Sequence, residues 1–149
     1  MKFKEHQEIK AEQNSLTIPT LENVTTKDIL QIIAGASILA VPVGFTEETW
    51  MLGEILPKLN ILLIFLLSLS VISLYVYYHY HHKVISTEHK EVFIKRVFFT
   101  YILSFFIVAI LLTLIEKAEW NINSFLALKR TIIVTLPASV SAVVVDTIK

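Results

Sequence analysis

Glu47, Glu48 and Glu54 place three carboxylates within a short stretch that directly follows a long uncharged run. Carboxylates at the end of an apolar helix can concentrate cations at a pore mouth, above all when an oligomer repeats them in a ring. They can equally end a helix, pair with a cation and anchor the chain at the membrane boundary. Lys129 and Arg130 are the candidate ion-pair partners. Asp146, in the last turn of the final apolar stretch, is a fourth carboxylate of the same ion-pathway or interfacial kind. His79, His81, His82 and His89 suggest metal binding or pH sensing, since imidazole titrates near neutrality. Their spacing matches no defined metal site, and the chain has no cysteine to complete one. No metal and no cofactor is expected. No nucleophile stands beside a base, and three glycines cannot build a phosphate-binding loop. The chain is not expected to be an enzyme.

The segments that would position these groups are set by composition. Apolar residues make up 54% of the 149 residues, and mean hydropathy is +0.65. A soluble bundle spreads charge along one face of each helix, whereas here whole segments are apolar all round, which implies lipid as solvent. Zero net charge leaves no electrostatic footprint for nucleic acid. The expected fold is an all-α membrane protein with four transmembrane helices joined by short loops, with spans at about 29–45, 61–80, 97–115 and 131–148. Residues 1–24 read as a polar, mobile cytoplasmic tail, and residues 25–149 as the membrane domain. No secretory signal precedes the first span, so that span is expected to direct insertion.

Each span carries its own pattern. Thr25 and Asp28 have the spacing of a capping box at the start of the first. Ala36, Ala40 and Gly44 recur every four residues there, a smooth face for close helix approach, and Glu48 continues the row if the helix persists. In the last span Thr131, Thr135, Ala138, Ser139 and Ala142 follow helical spacing up to Asp146. That face can pack against the first span or line a narrow water path. Ser70, Ser73 and Tyr77 share a face of the second span. Pro42 and Pro137 each remove a helical hydrogen bond and are expected to kink the first and fourth helices. Residues 46–60, with Trp50, read as an interfacial connection, and residues 81–96 as a basic loop. No charge falls at mid-depth in any expected span, which argues against a transporter built on a buried carboxylate. Nine Lys and Arg on the side of the termini, against four on the other, place both termini in the cytoplasm.

The run GASILAVPVGFTEETWMLGE and the later LKRTIIVTLPASVSAVVVD resemble a prokaryotic family of small integral membrane proteins of unknown function. The likeness spans about residues 29–148 and leaves the amino-terminal tail outside. It implies a multi-pass protein of the cell membrane and brings no activity or ligand. From the residues, the leading expectation is cation permeation through a homo-oligomer with an acidic outer mouth. The partners are then the lipid bilayer, further copies of the chain and cations. The alternatives are a non-conducting accessory or scaffold protein, or a small transporter subunit.

Overall fold

A computed structural model describes residues 25–81 and 90–148, and within these the side chains of 80, 81 and 90 are left aside. The described residues form five helices and no strand: α1 (Thr26–Gly44), α2 (Glu47–Ile55), α3 (Lys58–His81), α4 (Lys90–Leu114) and α5 (Ser124–Thr147). All but the short α2 are long and apolar enough to cross a membrane. The expected tail of residues 1–24, His82, His89 and most of the expected basic loop lie outside the described residues.

Local sequence sets the boundaries. Thr25 Oγ1 accepts the Asp28 N–H at 3.4 Å, and Asp28 Oδ2 accepts the Thr25 N–H at 3.1 Å, the reciprocal box that starts α1. The helix stops at Gly44, so Glu48 does not extend the small-residue row. Thr46 adopts extended backbone, and its hydroxyl bonds Val43 O at 2.8 Å and Thr49 Oγ1 at 2.7 Å. The chain then turns into α2, an interfacial helix where the sequence suggested only a connection. Leu56 is extended because Pro57 follows it, and α3 starts immediately afterwards. Glu116, at φ 58°, ends the run after α4 in the left-handed region, and the N–H groups of Lys117 and Ala118 both return to Leu112 O. Asn123 Oδ1 accepts the Leu126 N–H at 3.1 Å and caps α5.

The helices extend beyond the expected spans. Hydrophobicity places the third at 97 and the fourth at 131, but α4 begins at Lys90 and α5 at Ser124. Arg96, Lys129 and Arg130 are therefore helical residues rather than loop residues. Helices α3, α4 and α5 are each about 36 Å long, so their ends reach past a hydrocarbon core of about 30 Å. The helices run unbroken through Pro42 and Pro137.

Helix α5 is the axis of the bundle: it touches the four others and meets α1 most extensively. It pairs with α4 at the centre, while α1 and α3 each lie against that pair. One apolar core joins α1, α4 and α5 through Ile32, Ala36, Ala40, Val108, Leu112, Val134, Ala138 and Ala142. A second joins α3, α4 and α5 through Ile72, Val76, Val97, Tyr101 and Val143, with Phe65 edge-on to Tyr101 at 5.2 Å between ring centres. The most enclosed span is α5, and the most lipid-facing is α3. On α3 the inward polar residue is Ser68, fully buried, whereas Ser70 and Tyr77 of the expected polar face are exposed.

The α1–α5 contact is closest at Gly35. A Cβ added there would stand 2.8 Å from Ala142 Cα and 3.0 Å from Ser141 O, both backbone atoms. Gly35→Leu must therefore push two helices apart. It is expected to destabilise the bundle by about 1–3 kcal/mol, measured by thermal or denaturant unfolding in detergent. Ser70→Ala on the exposed face of α3 should leave the midpoint unchanged.

Candidate functional site

Two polar constellations occupy opposite ends of the bundle, here the terminal end, where α1 starts and α5 finishes, and the tryptophan end, which holds Trp50 and Trp120. At the terminal end Asp146 lies in the last turn of α5 and Arg96 in the second turn of α4, both buried. A carboxylate at a helix C-terminus opposes the helix dipole, and so does a cation near a helix N-terminus. Neither residue helps its own helix. Each stands where the other can reach it: Arg96 donates from Nε, at 3.1 Å, and from Nη2 to the same oxygen, Asp146 Oδ2. The second oxygen, Oδ1, is buried and has no hydrogen-bond partner among the described residues. Asp28, also buried, stands at this same end on α1.

The described spans between the two ends carry hydroxyls, most of them bonded within their own helices. Thr131 donates to Ala127 O at 2.8 Å, Thr135 to Thr131 O at 2.6 Å and Ser104 to Thr100 O at 2.8 Å. Ser139 bonds Leu136 O at 3.0 Å and meets Ser68 of α3 at 2.9 Å. Such bonds to the preceding turn satisfy hydroxyls where water is absent. Ala36, Ala40 and Gly44 face this same interior, as do Thr135, Ser139 and Ala142. The structure thus brings the two small-residue faces together within one chain. Each face is covered by the other within this one chain.

At the tryptophan end Arg130 is the hub. Its Nε donates to Trp50 O at 3.3 Å, Nη1 to Lys117 O at 2.9 Å and Nη2 to Glu54 Oε1 at 2.6 Å. One guanidinium thereby ties α2, the turn after α4 and α5 together, which only its planar, forked donors can do. Gly53 makes room for it, since a Cβ there would stand 2.5 Å from Arg130 Cγ. Trp50 Nε1 donates to Gly44 O at 2.8 Å, and the Lys117 ammonium lies 4.0 Å above the Trp50 ring. Lys117, whose carbonyl accepts from Arg130, directly follows the left-handed residue Glu116.

The expected acidic cluster is divided by this geometry. Glu47 and Glu48 are exposed in the first turn of α2, where the helix dipole favours them. Glu54 is held by Arg130. Asp146 lies about 24 Å along α5 from Arg130, at the other end of the bundle. Lys129 makes no ion pair among the described residues; it is buried, with its ammonium 5.7 Å from the Phe125 ring. His79 is exposed at the end of α3. Sequence reasoning missed Arg96 because it stood in an expected loop. The signal was available: Asp146 is a carboxylate at a helix C-terminus, where it needs a partner from outside its own helix.

Removing one member of the buried pair strands the other. Arg96→Met or Asp146→Leu alone is expected to cost about 3–5 kcal/mol, and the double variant to regain most of that loss. Unfolding midpoints in detergent check the cycle, and additive losses would deny the coupling.

No curated protein matches the chain, and no solved structure matches it. The model of the family described as "Putative integral membrane protein (DUF2391)" matches residues 1–145. The match begins at the first residue, so the amino-terminal segment is part of the likeness rather than outside it. The chain belongs to that family of integral membrane proteins, a domain of unknown function.

Proposed function

We propose that the protein is a non-conducting accessory subunit, which acts by associating with a larger membrane partner rather than by permeation or catalysis. One observation carries this reading: the faces that could have lined a water path are closed on each other, with Gly35 against the Ala142 backbone. The hydroxyls of Thr131, Thr135 and Ser139 donate to carbonyls of their own helix, which holds each one against its own backbone. The tryptophan end is also a poor cation mouth. Its carboxylates, Glu47, Glu48, Glu54, Glu116 and Glu119, are nearly balanced by Lys58, Lys117, Lys129 and Arg130. The exposed side of α3 offers Leu62, Leu63, Leu66, Leu67 and Leu74, a surface suited to lipid or to another apolar helix. The excess of Lys and Arg on the terminal side favours a cytoplasmic location for both termini.

Reconstitution separates this reading from permeation through an oligomer. Folded protein in liposomes should pass no more Na⁺ or K⁺ under an imposed potential than empty vesicles do. Cross-linking in native membranes should capture a second protein at fixed stoichiometry. Protein-dependent cation flux that falls in the Glu47→Gln, Glu48→Gln double variant would overturn the reading.

A further inference from the structure

The tryptophan end contains a recess of about 200 Å³ between α2, the turn after α4 and the start of α5. Glu54, Lys117, Glu119 and Asn123 line it, over a floor that includes Leu126 and Arg130. Arg130 is held within the protein: three of its five N–H groups donate to protein oxygens, one of them to the carboxylate of Glu54. Glu119 and Lys117 are different: neither makes an ion pair among the described residues. Glu119 is exposed, and Lys117 rests on Trp50 with donors left on the side away from the ring. Asn123 uses its carbonyl oxygen to cap α5, so its amide N–H groups remain as donors. The recess therefore offers a carboxylate acceptor together with an ammonium and an amide as donors. With two carboxylates and two cations in its lining, it has no net formal charge.

That combination suits a small zwitterion with an N–H-bearing ammonium and a phosphate. We propose that the recess binds the amine–phosphate group of an ethanolamine headgroup, the ammonium on Glu119 and the phosphate on Lys117 and Asn123. The depth fits a lipid source. Trp50 and Trp120 stand at the same level, as aromatic side chains do at a membrane boundary. This inference is independent of the accessory role, since it concerns only the boundary surface.

Delipidated protein in detergent, titrated with short-chain phosphatidylethanolamine, should show saturable thermal stabilisation. Phosphatidylcholine, whose trimethylated nitrogen has no N–H donor, and phosphatidylglycerol, which has no amine, should bind about tenfold more weakly, the scale of one charge-assisted hydrogen bond. Glu119→Gln should weaken the ethanolamine lipid by about tenfold and leave the glycerol lipid unchanged, while Lys117→Gln should weaken all three. Lys117→Gln keeps the backbone carbonyl that Arg130 uses, and unchanged lipid-free melting points check that both variants fold. Soluble glycerophosphoethanolamine distinguishes the source. Competition at the lipid's own concentration would uphold the site but assign it to a free zwitterion, and much weaker competition would assign it to the lipid. Equal binding of the three lipids, or an unchanged Glu119→Gln variant, would overturn the proposal.

Discussion

The bundle depends on how closely α1 can approach α5. In lipid no hydrophobic force drives one apolar helix against another, so association rests on van der Waals contact and on the few hydrogen bonds that form. Close contact requires small side chains on both helices at the same level. Gly35, Ala36, Ala40 and Gly44 supply them on α1, and Ala138, Ser139 and Ala142 on α5. The approach at Gly35 brings backbone against backbone, leaving no space for water between the two helices. Because α5 also touches every other helix, a shift in this contact would reach α3, α4 and the interfacial α2.

Lipid imposes the second constraint, that polar groups be satisfied inside the protein. The fold meets it in part, by three devices, while Thr100 Oγ1, the Tyr101 hydroxyl and Asp146 Oδ1 are buried with no hydrogen-bond partner among the described residues. Hydroxyls on α4 and α5 bond the carbonyl one turn back, which needs no partner helix. At the tryptophan end one guanidinium serves three elements. At the terminal end the buried Arg96–Asp146 pair joins α4 to α5, each charge standing where its own helix dipole disfavours it. A buried pair of this kind is a weak source of net stability, and fixing register is its best-attested use. Its placement suits that role, since a slip of one turn in either helix would leave both charges alone.

Much of this was legible in the sequence, and the failures share one cause. The number of spans, the Thr25–Asp28 cap and the two small-residue faces follow from spacing and composition, because in lipid those properties leave few alternatives. The helix boundaries were misplaced where charges were taken to mean loop. Lys90–Arg96 and Ser124–Arg130 are helical because Arg96 and Arg130 find protein partners, and a partner on another helix is invisible to a local pattern. Asn123 was the local signal for the true start of α5. The outer carboxylates show the same limit: three glutamates close in sequence look like one cluster. Only the turn at Thr46 and the reach of Arg130 separate the exposed Glu47 and Glu48 from the paired Glu54.

The central claim is that the interior between α1 and α5 is dry within a single chain. The chain has no cysteine, so single cysteines introduced at Ala40, Thr135 and Ser139 would report water access without background. With a charged, membrane-impermeant thiol reagent applied to both sides of native membranes, the account predicts no labelling at these three positions and ready labelling at Glu48→Cys. Labelling at Thr135→Cys or Ser139→Cys in folded protein would mean that water reaches the faces described as closed, and would contradict it.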